Sequence, residues 1–134
     1  MTEQRHITVA AAVIRQGACF LAARRPVDGP YGGQWEFPGG KLEAGETPEH
    51  ALKRELKEEL NITPKDFHPA LRLEHTYPEF KVTLHVFVVS AFSGQLAALD
   101  KQTLAWLLPE EAKNLPFLAA DVPIVQKLAA GELA

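Results

Sequence analysis

Apolar residues run almost unbroken through "ITVAAAVIR" (7–15) and again through "ACFLAARR" (18–25), with Gln16-Gly17 between them. Two apolar runs separated by a polar-glycine pair predict a hairpin. The next stretch, "PVDGPYGGQWEFPGG" (26–40), has too many glycines and prolines for a regular element, yet its large aromatics need packing or a ligand, so it reads as a functional loop. Behind Thr47, a good N-cap, and Pro48, a good first helical residue, Ala51, Leu52, Leu56 and Leu60 recur at helical spacing until Asn61 and Pro64 stop the pattern. This predicts a helix over about 48–60. "HPALRLEHTY" (68–77) and "FKVTLHVFVVSAF" (80–92) flank a turn at Pro78-Glu79 and predict two strands, the second long and mostly buried. "TLAWLL" predicts one more, and "DVPIVQKLAAGE" a last helix with Asp121 at its N-cap and Gly131 as its stop. Strands around one central helix, closed by a C-terminal helix, predict a mixed α/β sandwich.

With 134 residues, 46% of them hydrophobic, the chain suits one domain spanning 1–134. A net charge of -3 with 14 basic residues gives no general support for a nucleic-acid backbone as partner, and a small ligand is expected instead. The one cysteine, Cys19, has no internal disulfide partner and reads as a small buried hydrophobe in a reducing compartment. The N-terminal apolar stretch lacks a following small-residue cleavage site and falls far below spanning length, so no membrane partner and a cytoplasmic location are expected.

The helix predicted at 48–60 carries four glutamates between Glu49 and Glu59. Residues three and four apart share a helix face, which brings Glu55, Glu58 and Glu59 within about 6 Å at Cβ. From the helix alone, an ordinary solvated stripe paired with Lys53, Arg54 and Lys57 is the commoner explanation. Two features favour a functional reading. Glu55 and Glu59 border the apolar Leu52/Leu56 edge, and the preceding "PGGK" (38–41) can turn sharply and bring bare carbonyls close. Carboxylate and carbonyl oxygens suit a hard divalent cation, and Mg²⁺ is the one that shares its shell with substrate phosphates.

The stretch resembles the signature of the Nudix family, G-x5-E-x7-R-E-U-x-E-E-x-G-U with U apolar, at Gly40, Glu46, Arg54, Glu55, Leu56, Glu58, Glu59 and Ile62. Its six fixed positions would match by chance about once in 10⁷ starting points, so the likeness is specific. Asn61 replaces the signature glycine; asparagine tolerates a left-handed helix end, so the turn is expected to survive. The wider "WEFPGGKLEAGETPEHALKRELKEELNIT", the Arg24-Arg25 pair, Trp106 and "AADVP" are similar to the MutT-like branch. The resemblance implies an α/β/α sandwich around a mixed sheet and a hydrolase that turns nucleoside triphosphates into monophosphates and pyrophosphate.

It further implies a metal site of Glu55, Glu58, Glu59 and the Gly40 carbonyl, loaded with Mg²⁺ or alternatively Mn²⁺, and an Arg54–Glu46 pair fixing the loop to the helix. Arg54, Glu55, Glu58 and Glu59 are thus the expected catalytic group. Glu55 is the first choice for general base. Asp100, six residues before Trp106, is the rival and an additional candidate ligand, although a polar residue at a loop tip explains it as well. Arg25 and Lys41 are candidates for phosphate or base contacts, and Phe37 and Asp121 for the base pocket. An ionised Asp121 only accepts hydrogen bonds. It can take the N7–H of 8-oxoguanine but opposes O6 unless protonated, it suits the amine of cytosine, and a simple helix cap remains a third reading. The expected substrate is 8-oxo-dGTP, with CTP or dCTP as the alternative. A binding module, as in the C-terminal domain of adenine glycosylases, is disfavoured because such modules typically lack the glutamates retained here. Either a monomer or a homodimer fits.

Overall fold

The structure, a computed structural model, describes residues 5–133; the outermost residues of the expected domain and its N-terminal segment, 1–4 and 134, lie outside the described residues. Two long strands form its centre. Strand β1 (Arg5–Gln16) runs parallel to β6 (Phe80–Ser93), pairing from Arg5 with Phe80 to Ile14 with Val89. Both are covered on two faces along residues 10–14 and 86–89, which explains why their sequences are continuously apolar rather than alternating. The hairpin partner β2 (Cys19–Arg24) joins β1 through a turn in which Gly17 has φ 62°.

The order across the sheet is β3 (Trp35–Glu36), β2, β1, β6, β5 (Thr63–Thr76), with β4 (Gly39–Lys41) also on β1 and β7 (Thr103–Leu107) also on β2. The β1–β6 pair is parallel and the other named pairs are antiparallel, so the sheet is mixed. Helix α1 (Pro48–Leu60) covers one face. Its Ala51, Leu52, Leu56 and Leu60 are fully buried against Ala10, Ala12, Ile14, Leu21, Phe87 and Val89, and each such leucine contributes roughly 1.5–3 kcal/mol. The short α2 (Pro109–Ala112) and α3 (Val122–Ala129) lie on the other face, where Ile124, Val125 and Leu128 meet Val13, Phe20, Val86 and Phe37. This is the expected α/β/α sandwich.

The structure differs from the sequence reading in four places. The glycine-rich 26–40 segment contains β3 and β4, each too short to give a periodicity signal. Strand β5 begins at Thr63 rather than His68, with register shifts from Pro64 to Leu71 that accommodate Pro64 and Pro69. The four-residue α2 was not expected. Cys19 is half-buried rather than buried, because it opens β2 directly after the hairpin turn.

Candidate active site

Helix α1 is fixed at both ends by its sequence. Thr47 Oγ1 accepts from the N–H of His50 at 3.2 Å, and Asn61 adopts the left-handed conformation (φ 61°, ψ 32°) that closes the C-terminus. Two of the last carbonyls are then capped from outside: Ala97 N–H donates to Leu60 O at 3.0 Å and Leu99 N–H to Glu59 O at 2.9 Å. This capping loop continues into Asp100 and delivers its carboxylate to the same cleft as Glu59.

At the other edge, β4 runs beside the helix. A Cβ on Gly40 would collide with the Glu55 carboxylate, so the glycine leaves the space in which that carboxylate lies against bare backbone. Arg54 binds this corner together. Its Nε and Nη2 donate to the two oxygens of Glu46 at 2.7 and 2.9 Å, Nη2 also donates to Lys41 O at 3.0 Å, and Nη1 donates to Glu55 at 2.8 Å and Glu58 at 3.3 Å. The bidentate pair, with an N–H from Glu43, holds the Glu46 carboxyl down at about 2. The expected Arg54–Glu46 pair is therefore present.

Glu59 lies on the inner side, where burial, and then the neighbouring Glu55, push its carboxyl up to about 9. Glu36 and Asp100 add to the same negative field. Glu58 faces outward, its side chain 60% exposed against 16% for Glu55. Among the described residues no three His, Cys, Asp or Glu side chains are gathered as a metal-holding group; Glu58 is engaged by Arg54 Nη1. The donor set nonetheless fits a hard cation. It is all oxygen, it includes a glycine that makes room at the Glu55 carboxylate, and it sets Glu55 beside the buried Glu59, two carboxylates whose mutual repulsion a divalent ion relieves.

The cleft has a volume of about 570 Å³, and its lining includes Gly40, Glu59, Asp100, Lys41, Arg25, Phe37 and Asp121. Glu55 adjoins it through Gly40, whereas Glu58 and Arg54 stand behind. Phe37 packs between Phe20 and Phe117, with ring centroids at 5.2 and 5.6 Å. Its N–H donates to Asp121 Oδ2 at 3.2 Å. Asp121 occupies the N-cap position of α3, yet its side chain makes no cap hydrogen bond there. It points to the cleft lining instead. Arg25 also reaches the cleft, but its guanidinium is engaged: Nη1 donates to Glu36 at 3.2 Å and Nε to Pro30 O at 2.9 Å.

Asp121 is 5% exposed, and burial, opposed by the Phe37 N–H and reinforced by Glu36, raises its carboxyl from 3.8 to about 7. A carboxyl raised on folding holds its proton in the native state while the unfolded chain loses it. Its favourable contribution is therefore complete below about pH 4 and is lost as pH rises towards 7, by roughly 4 kcal/mol at most. Asp121→Asn is expected to remove this slope. Urea unfolding of both proteins at pH 4.5 and 7.5 checks it: the wild type should lose stability relative to the variant by a few kcal/mol, and parallel behaviour would contradict the assignment.

Several lining residues were not singled out from the sequence: Arg5, Tyr31, Glu36, Tyr77, Phe80 and Gln102. Glu36 and Tyr31 sit in the loop already marked as functional, which was the available signal. Tyr77 and Phe80 flank the 78–79 turn, and only the β5–β6 register brings them to the cleft.

Residues 9–127 match the model of the NUDIX domain. The chain is 38% identical over 120 residues to a CTP pyrophosphohydrolase of Escherichia coli, covering 90% of this chain and 89% of that protein. It is 34% identical over 125 residues to the 8-oxo-dGTP diphosphatase of the same organism, covering 92% and 97%. Among solved structures, the Escherichia coli ORF135 protein superposes with a TM-score of 0.83 at 36% identity, covering 95% of this chain and 91% of that one. A MutT structure from work on Aliivibrio salmonicida and Vibrio cholerae gives 0.80 at 30%, covering 95% and 99%. No helix among the described residues is long and apolar enough to cross a membrane. With a matched domain over most of its length and relatives that are diphosphatases and pyrophosphohydrolases, the chain belongs to the Nudix hydrolase family, in its MutT-like branch.

Proposed function

We propose that this protein is a magnesium-dependent nucleoside triphosphate pyrophosphohydrolase that converts a nucleoside triphosphate and water into the monophosphate and pyrophosphate, with 8-oxo-dGTP as its preferred substrate. The observation that carries this reading is the cleft itself: one continuous space is lined both by Gly40 and the carboxylate of Glu59 and by the aromatic, acid-bearing pair Phe37 and Asp121. A nucleotide requires both, oxygen ligands for the ion that accompanies its phosphates and an aromatic, hydrogen-bonding surface for its base.

Glu55, Glu58, Glu59 and the Gly40 carbonyl would hold the ion, with Asp100 as an additional ligand. When bound, Mg²⁺, or Mn²⁺ in its place, neutralises the phosphate chain and lowers the pKa of the attacking water. Glu55 would serve as the general base, its carboxylate lying against the β4 backbone and oriented by Arg54. Asp100 is the rival base. Lys41 contributes positive charge at the phosphate end, and Arg25 serves mainly to hold the loop that carries Tyr31 and Glu36.

At the base end, a protonated Asp121 both donates and accepts. It can therefore donate to O6 of 8-oxoguanine while accepting from N7–H, which removes the clash an ionised carboxylate would meet. The second reading is a CTP or dCTP pyrophosphohydrolase. It draws support from the CTP-hydrolysing relative at 38% identity and from the fit of a carboxylate to the cytosine amine. Values of kcat/KM for 8-oxo-dGTP, dGTP, CTP and dCTP decide between them. The largest is expected for 8-oxo-dGTP, and a larger value for either cytosine nucleotide would overturn the ranking.

A further inference from the structure

Tyr31 stands in a conformation that its residue type rarely adopts. Its φ is +54°, a left-handed backbone unfavourable for a bulky side chain and characteristic of positions fixed by function. The surrounding loop enforces it. Arg25 N–H donates to Gln34 O, Gly33 N–H to Arg25 O and Gln34 N–H to Tyr31 O, at 2.9, 3.1 and 3.1 Å. Gly32 packs so closely on Val27 that a Cβ there would strike the Val27 carbonyl. The result is a tyrosine left 46% exposed at the cleft, with the Arg25 guanidinium 5.9 Å from its ring centroid.

Against it on the cleft lining packs Tyr77. Its hydroxyl accepts from Ala120 N–H at 3.1 Å, next to Asp121, and Phe80 and His75 pack on its ring at 4.9 and 4.6 Å. The Tyr31 and Tyr77 centroids lie 6.2 Å apart, tilted by 50°. A flat heteroaromatic ring held between two parallel rings needs about 7 Å between them, twice the contact distance of carbon atoms, so admitting one requires the Tyr31 ring to swing out of its 50° tilt as well as to move outward. A loop strained to expose an aromatic ring, facing a second ring tied to the Asp121 turn, has the geometry of a stacking clamp.

We infer that Tyr31 is the outer stacking wall for the substrate's nucleobase, held against Tyr77 so that the base edge meets Asp121. This rests on the nucleotide reading given above. Stacking on a π-face does not discriminate one base from another, so Tyr31 supplies affinity for any nucleobase while Asp121 supplies the choice among them. The Arg25–Glu36 pair is the brace that aims the ring.

The test is equilibrium binding of 8-oxo-dGMP and CMP, and of inorganic pyrophosphate with Mg²⁺, to the full chain and to Tyr31→Phe and Tyr31→Asn. Asparagine tolerates the left-handed backbone and so removes the ring without removing the turn. Stacking on an aromatic side chain predicts that Tyr31→Asn weakens both monophosphates by about 5- to 100-fold, that Tyr31→Phe restores their affinity, and that pyrophosphate binds all three proteins equally. If the wild type binds both monophosphates and Tyr31→Asn binds them as tightly, the clamp is refuted and the nucleotide reading stands. Equal losses in the Phe and Asn variants, or a matching loss for pyrophosphate, would refute stacking in favour of a hydroxyl contact or a disordered loop. A wild type that binds neither monophosphate overturns the nucleotide reading and the clamp with it.

Discussion

Glu55→Gln is expected to lower kcat for nucleoside triphosphate hydrolysis by about 10²- to 10⁴-fold, the range for removing a positioned general base, while the protein remains folded. The amide preserves the shape that fits against Gly40 and can still accept from Arg54 Nη1, which lies 2.8 Å from the carboxylate oxygen. It cannot take a proton from water, and it is a poorer ligand for a hard cation. Steady-state kinetics with Mg²⁺, paired with thermal unfolding, separates the two effects. A variant with near-normal turnover would remove Glu55 from the chemistry and leave Asp100 as the remaining candidate base.

The second large effect falls on adjacent glycines, which should respond in opposite ways. Gly39 has φ +150° and its Cβ would strike the carbonyl of Ala10 and approach the Ala11 backbone. Neither can yield, because Ala10 and Ala11 pair with β4 on one side and β6 on the other. Gly39→Ala combines backbone strain with overpacking, each costing about 1–3 kcal/mol, so a loss of roughly 3–5 kcal/mol and a Tm lower by about 10 °C or more is expected. Gly40→Ala instead meets the far end of a flexible side chain, the Glu55 carboxylate. It should cost little stability and most of the activity. Thermal unfolding and kcat for both variants test the contrast, and a Gly40→Ala protein that is fully active would show that Glu55 need not lie where it does.

Helix α1 was legible to the residue, since Thr47, Pro48 and Asn61 mark its ends by local chemistry. The long buried strands were legible because central pairing leaves their sequences uniformly apolar. The brief strands β3 and β4 were not, since two or three residues carry no period and glycine hides strand character; they form because β1 and β2 offer free edges. The carboxylate cluster could be read from spacing within one helix. The base end could be reached only through resemblance, because Phe37 and Asp121 are 84 residues apart and only the packing of α3 on the sheet joins them. Whether Asp121 caps α3 was open in the sequence, and in the structure its side chain accepts from the Phe37 N–H instead of capping the helix. Tyr77 reaches that cleft through the β5–β6 register, a property no local window contains.

The measurement that tests the central claim most directly is pyrophosphate release from 8-oxo-dGTP, dGTP, CTP and dCTP, with Mg²⁺ and with the ion chelated. The account predicts release that requires the ion, with 8-oxo-dGTP turned over most efficiently and pyrophosphate, not orthophosphate, as the product. Absence of release from every one of these nucleotides, or release undiminished by chelation, would contradict the assignment of the carboxylate helix as a metal-dependent hydrolytic centre for nucleoside triphosphates.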